Sequence, residues 1–404
     1  MKTSQFKFNP KEFVERQVAE IRSELGNKRA LVAVSGGVDS STSAALVHLA
    51  IGENLLCVML DDAFMREGEP EKVTELLARP PLKLPVKVLN VRERFLEEMR
   101  ELRDAEEKRK VFRETFYRVL SETARREGIQ YLVQGTILAD IVETAGGVKT
   151  QHNVLSQIGI SPKEHYGFHV VEPLNTLFKG QVRELARYIG LAKEIAERQP
   201  FPGPGLSVRA VGEIKRDKLE SLKKATALAE EKLAKHAPSQ YFAVVIDNVR
   251  KLRSTQHSQI ESQTAKFLGV PSDHVEVSVF EDKATGVRGG NRVYGEIATV
   301  KVLASKGRVY QPSIQDLTSL QARFLSENLS FTRVFYAISE EAEAQPYVVA
   351  VRAIQTEDYL TAKVADISWK TLNQIAEGIL AECKNVSAVY YDVTPKPPAT
   401  IEME

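Results

Sequence analysis

Apolar positions in the first third of the chain switch repeatedly between two rhythms. After Asn9-Pro10, which suit a helix cap and first turn, Phe13, Val14, Val18, Ile21 and Leu25 fall on one helical face. RALVAVS (29–35) is instead a short unbroken apolar run, the pattern of a strand buried on both sides. SSTSAALVHLA (40–50) reads as a helix and NLLCVMLD (54–61) as a second strand. Residues 71–79 read as a helix, VKVLNV (86–91) as a third strand, 95–128 as one long helix and IQYLVQG (129–135) as a fourth strand. Strands alternating with helices predict an α/β fold with a parallel sheet and right-handed crossovers. Ligands bind beyond the carboxyl ends of such strands. VAVSGG, CVMLDD and YLVQGT end strands there, so they are expected side by side around one crevice.

The rhythm stops at QPFPGPGLSVR (199–209), whose proline and glycine density forbids a helix or a central strand. It reads as an interdomain linker or as a rigid, shaped binding loop. Beyond it, YFAVVI, HVEVSVF and EIATVKVLAS alternate with helices. The expected domains are 1–207 and 208–404, the second an α+β domain. Within it, EIATVKVLAS, a helix and TRVFYAIS precede YVVAVRAIQ, a helix and SAVYYDVT. Both read strand, helix, strand, which predicts an internal repeat over about 290–340 and 345–404.

Composition adds only exclusions. A hydrophobic fraction of 43% and a formal net charge of +1 are ordinary for a globular chain and give no field that would select nucleic acid or membrane. No apolar run is long enough to span a bilayer, and MKTSQFKFNPKEF lacks a signal-peptide core. Two cysteines, Cys57 and Cys383, support no disulfide framework and suit a reducing cytoplasm.

The chemistry concentrates in SGGVDSS (35–41). Glycines after a strand let the backbone turn and present unshielded N–H groups, and the following helix aims its positive end at the same place. Ser35, Ser40 and Ser41 add hydroxyl donors, which makes a phosphate cradle. No Gly-Lys-Ser/Thr follows, so it is not a Walker loop, and adjacent glycines exclude the dinucleotide fingerprint. Asp39 would repel phosphate unless a divalent cation lies between or nearby. Without such a ligand the same residues describe a capped helix after a tight turn.

SGGVDSS at this strand–helix junction resembles the pyrophosphate-binding loop of the ATP pyrophosphatase superfamily. Within it, DDAFMREGE (61–69), DAEEKRK (104–110), VQGTILADIVET (133–144), KTQHNV (149–154), VEPLNTLFKGQVREL (171–185), PFPGPGLSVR (200–209) and VYYDVTPKPPATIEME (389–404) resemble, in order, the motifs of GMP synthetases. The resemblance runs from residue 30 almost to the end. It implies an adenine-nucleotide α-hydrolase-like domain that uses ATP and Mg²⁺ to adenylate the 2-oxygen of XMP, after which ammonia displaces AMP and gives GMP.

The same resemblance assigns Ser35, Gly36, Gly37, Asp39, Ser40 and Ser41 to pyrophosphate and its metal, with Gly135 beside them. Val34 and Leu60 would line adenine or serve as plain core. Asp140 and Glu143 would touch nucleotide or metal, or form a solvated helix face. Lys179 would reach phosphate, or lie on the surface. Pro202, Gly203, Pro204 and Gly205 would shape the XMP site. Lys396, Thr400, Ile401 and Glu402 would hold XMP, the lysine at its phosphate. Arg292 and Arg352 are further phosphate candidates, unless a strand arginine simply pairs with a carboxylate.

Departures fall in loops. Gly180-Gln181 replace Asp-Glu, Gln151-His152 replace paired histidines, Leu155-Ser156-Gln157 replace glycines, and Asp62-Ala63 replace Asn-Gly. They leave open a paralogue that adenylates another substrate. His165 and His169 show no metal-ligand spacing. Neither cysteine has the context of a glutaminase nucleophile, so the expected ammonia source is a separate amidotransferase subunit or free ammonia. The resemblance implies a homodimer, while the enlarged C-terminal region leaves a monomer open.

Overall fold

The computed structural model describes residues 8–145, 161–304, 308–357 and 359–404. They divide into two compact units, 1–98 with 111–203 and 99–110 with 204–404.

In the first unit the elements run α1 (Pro10–Leu25), β1 (Ala30–Ala33), α2 (Val38–Ile51), β2 (Leu55–Asp61), α3 (Glu69–Ala78), β3 (Val86–Asn90), α4 (Arg92–Glu98), α5 (Ala105–Glu127), β4 (Tyr131–Val133), α6 (Leu138–Ala145), α7 (Pro162–Tyr166), β5 (His169–Val171), α8 (Lys179–Tyr188) and α9 (Lys193–Ala196). Residues 105–110 of α5 belong to the second unit. Five parallel strands lie in the order β3-β2-β1-β4-β5. The three strands ending in VAVSGG, CVMLDD and YLVQGT are therefore neighbours at the centre, as the alternating pattern predicts. Their apolar residues pack with Phe13, Ile21 and Leu25 of α1, whose start is capped by the Asn9 side chain accepting from Glu12 N–H at 3.4 Å.

Two elements differ from expectation. The helix expected over 95–128 is broken at 99–104. Asp104 Oδ1 accepts from the N–H groups of Glu106 (2.9 Å) and Glu107 (3.0 Å) and starts α5 afresh, and the preceding Glu101 lies at φ 64°. The three-residue strand β5 is too short to show a period, so only its pairing with β4 reveals it.

The second unit runs α10 (Arg216–Leu233), β6 (Gln240–Asp247), α11 (Thr255–Leu268), β7 (Val275–Arg288), β8 (Asn291–Val302), α12 (Ile314–Glu327), β9 (Phe331–Glu340), β10 (Tyr347–Gln355), β11 (Lys363–Val364), α13 (Trp369–Glu382) and β12 (Val386–Asp392). The sheet order is β11-β10-β12-β9-β8-β7, with β6 also on β10. Strands β8 and β9 are parallel across α12, and β10 and β12 are parallel across α13. The two strand–helix–strand units meet through antiparallel β9 and β12. Gly289 and Gly290, at φ 55° and 80°, turn the β7–β8 hairpin. Cys57 and Cys383 are buried and unbridged, and burial pushes the Cys57 thiol up to about 12.

Candidate functional site

The loop between β1 and α2 builds the first part of the site. Gly36 takes φ 74°, which only glycine adopts without strain, and brings the chain from the strand end onto the helix. Ser40 Oγ accepts from Ser35 N–H at 3.2 Å and donates to the Gly37 carbonyl at 3.3 Å, so the hydroxyls hold the loop closed. Gly135, at the end of β4, has a steric task. A Cβ there would lie 2.8 Å from Ser40 N and 2.9 Å from Asp39 C, both backbone atoms. No rotamer relieves that contact. Gly135→Ala is therefore expected to cost about 1–3 kcal/mol and to weaken ATP binding by displacing the start of α2. Thermal melting with titration of ATP checks this, and wild-type values in both would refute it.

Lys179, the first residue of α8, donates to Asp39 Oδ2 at 2.5 Å. The neighbouring departure Gln181 accepts from Phe178 N–H at 2.9 Å, so it serves as a cap for the helix that carries Lys179. Asp39 Oδ1 is buried without a hydrogen-bond partner. That unspent oxygen, beside backbone donors and hydroxyls, fits a hard cation completed by phosphate oxygens and water. Among the described residues no group of three or more His, Cys, Asp or Glu could hold a metal. Mg²⁺ on one carboxylate needs none.

The other expected residues are placed as follows. Val34 and Leu60 are both buried, Val34 within the first unit's core. Asp140 Oδ2 accepts from Ile137 N–H at 3.1 Å and so helps to start α6. The side chain of Glu143 and residues 149–157 lie outside the described residues. His169 stacks on Tyr131, and the His165 ring lies tilted beside Tyr166, their centres 6.3 Å apart.

The second group lies in the C-terminal tail. Glu402 accepts from Arg209 twice, Nε at 2.9 Å and Nη2 at 2.9 Å, and from Gln240 Nε2 at 2.8 Å. Burial, the largest single influence, would raise its pKa, but the guanidiniums of Arg209, Arg109 and Arg352 together outweigh it and the net shift is downward. A carboxylate held below its ordinary 4.5 contributes stability that is present above that value and lost as pH falls through the lowered folded one. Urea unfolding of the wild type and Glu402→Gln should thus differ by a constant amount above pH 4.5, and the difference should shrink below it. A difference that grew on acidification would reverse the sign of the argument.

Lys396 Nζ donates to the Tyr359 carbonyl at 2.6 Å. Thr400 is tied by its hydroxyl to Thr285, and Ile401 packs on the second unit's core. Pro204 and Gly205 are buried, Pro202 is half-buried and Gly203 exposed. Arg292 pairs with Glu106. Arg352 does not serve as a phosphate ligand: it is fully buried, and its donors go to Asp392, Thr394 O, Thr400 O and Ile401 O. The alternative of a strand arginine paired with a carboxylate is the one realised.

Arg209 and Gln240 join the site only in the folded chain. Arg209 stood inside a quoted motif, and its partner 193 residues away was the missing signal. Gln240 carries no sequence signal.

Residues 10–251 match the family model described as NAD synthase, and 337–403 the one described as GMP synthase C terminal domain. A subunit of the glutamine-hydrolyzing GMP synthase of Sulfurisphaera tokodaii is 41% identical over 98% of this chain and 100% of its own length. The chain belongs to this family of GMP synthase subunits. Membership makes it an enzyme of the ligase type. The corresponding subunit in Saccharolobus solfataricus is 41% identical, and that in Methanopyrus kandleri 37%, each over 98% of this chain and its own full length. A solved NMN synthetase from Francisella tularensis is 19% identical with a TM-score of 0.39, covering 50% of this chain and 79% of that one; this likeness is too low to add to the assignment. No helix among the described residues of this GMP synthase subunit is long and apolar enough to cross a membrane.

Proposed function

We propose that the chain makes GMP by adenylating XMP with ATP and aminating the product. The 2-oxygen of the XMP ring attacks the α-phosphorus of ATP, the bond from that phosphorus to the bridging oxygen breaks, and pyrophosphate leaves while N3 loses its proton to solvent. Ammonia adds at C2, AMP departs with the oxygen, and the new nitrogen sheds its extra proton. A ring oxygen leaves poorly until carried on phosphate, so the catalytic task is positioning and charge neutralisation.

The observation that carries this reading is the Asp39–Lys179 pair at the start of α2, inside a loop of glycines and hydroxyls. Lys179 and the backbone N–H groups of the loop hold the departing pyrophosphate. Asp39 would hold Mg²⁺, which supplies further neutralisation of phosphate charge when bound. Glu402, kept ionised by Arg209, accepts from a ring N–H or a ribose hydroxyl, and Lys396 turns to the XMP phosphate. Pro202 to Gly205 shape the XMP site.

Ammonia comes from a separate glutamine amidotransferase subunit, in keeping with relatives that are each named as one subunit of a glutamine-hydrolyzing enzyme. Self-association as a homodimer belongs to the same proposal, and light scattering separates it from a monomer.

The test is pyrophosphate release by the purified chain with Mg-ATP and ammonium chloride at mildly alkaline pH, with and without XMP. XMP-dependent release with GMP appearing is the expected result. ATP binding without XMP-dependent release would move the reading to a paralogue with another acceptor.

A further inference from the structure

One buried carboxylate in the first unit belongs to no role assigned so far. Glu69, at the start of α3, is 3% exposed. Its Oε1 lies 2.5 Å from Arg198 Nη2, and its Oε2 accepts from Arg66 N–H at 3.1 Å with Arg66 Nη1 at 3.6 Å. The Arg66 guanidinium lies 4.3 Å from the centre of the Phe201 ring. Arg198 then reaches with its other prong, Nη1, to the Gly36 carbonyl at 3.3 Å. One ion pair thus links the phosphate-cradle loop, the 62–69 segment and the stretch leading into PFPGPG.

The contact with Gly36 is to backbone, and that gives it a consequence. A trans peptide is planar, with its carbonyl and N–H pointing to opposite sides. Drawing the Gly36 carbonyl toward Arg198 turns the Gly37 N–H the other way, where it donates to Ser35 Oγ at 3.4 Å, a long bond that a phosphate oxygen can replace. The guanidinium also fills the space where a Cβ on residue 36 would sit, at 2.8 Å from Nη1. A two-pronged cation can hold a carboxylate and a carbonyl together; an ammonium point charge lacks that fixed fork.

We infer that Arg198, anchored by Glu69, is a positioning residue that sets the Gly36–Gly37 peptide so that its N–H faces the pyrophosphate. The inference rests on the phosphate-binding part of the function proposed above.

The test is calorimetric titration of inorganic pyrophosphate and, separately, XMP into the full chain and its Arg198→Gln, Arg198→Lys and Glu69→Gln variants. Each variant is expected to weaken pyrophosphate binding about ten-fold and leave XMP binding unchanged. The Arg198→Gln/Glu69→Gln double variant should be no worse than the poorer single one, because both act through one contact. Equal losses for pyrophosphate and XMP would mean general destabilisation and overturn the inference. Full retention in Arg198→Lys, with Glu69→Gln silent, would mean a direct charge contact and overturn it as well. The lysine variant keeps the charge, so it gives a reading even where the glutamine variants fold poorly. Pyrophosphate binding needs no turnover. A wild type that binds pyrophosphate but makes no GMP therefore fails the function reading alone. Intact GMP formation with unaffected variants fails the positioning reading alone.

Discussion

Lys179→Met is expected to lower the rate of XMP-dependent pyrophosphate release by about 10²–10³, the usual loss when one preorganised donor to developing charge is removed. The side chain sits 2.5 Å from Asp39 in the resting site, so its charge is already in place before ATP arrives. Methionine keeps most of the length and apolar stem but neither donates nor carries charge. It also leaves Asp39 without its cation, which makes phosphate entry less favourable. The KM for XMP should not change, because Lys179 has no part in the tail proposed to hold XMP. Initial rates at varied ATP and XMP check both statements. A rate within about three-fold of wild type would remove Lys179 from the reaction.

The second large effect is on stability. Asp392 on β12 is fully buried and accepts from two fully buried arginines, Arg333 Nη1 at 2.9 Å and Arg352 Nη1 at 2.7 Å. Burial and the second guanidinium push Arg333 down to about 9, so it remains charged at neutral pH. Their other prongs grip the tail by its backbone: Thr400 O takes both, at 2.8 and 3.0 Å, Ile401 O takes Arg352 Nε at 2.9 Å, and Glu402 O takes Arg333 Nη2 at 2.6 Å. Asp392→Ala would leave two cations buried without their carboxylate, a change that costs about 3–5 kcal/mol. The chain has a single tryptophan, Trp369, in the second unit, so its fluorescence reports on that unit. With a urea slope of about 2 kcal/mol/M, the midpoint should fall by roughly 1.5–2.5 M. On the proposed Glu402 contact, XMP affinity should fall with it, because the arginines that grip the carbonyls around Glu402 lose their anchor. An unchanged midpoint would mean that the hub contributes nothing net.

The placement of Arg352 shows where reading the sequence stops. VAVRAI marks a strand with one cation in it, and nothing local says whether that cation faces phosphate or carboxylate. The answer depends on β12 lying beside β10, which brings Asp392 to it. Arg333 had no assignment, although it grips the same tail. Gly135 is a different case: VQGT marks the end of a strand, but only the closeness of the α2 backbone makes a side chain impossible there.

Local order was largely written in the chain. Unbroken apolar runs marked β1 and β2, because a strand buried on both faces needs apolar side chains at every position. SGGVDSS gave the cradle, because a sharp turn before a helix needs glycine and a phosphate site needs unshielded N–H groups. The break before α5 and the three-residue β5 were set by a capping side chain and by a neighbouring strand, neither of which leaves a period. The clasp on Glu402, the two arginines on Asp392 and the bridge from Glu69 through Arg198 to Gly36 join residues tens to hundreds of positions apart. The sequence by itself determined most of the strands and helices and which loop can cradle phosphate. Tertiary structure alone decided which charges meet, because a buried charge is tolerable only where folding supplies its partner.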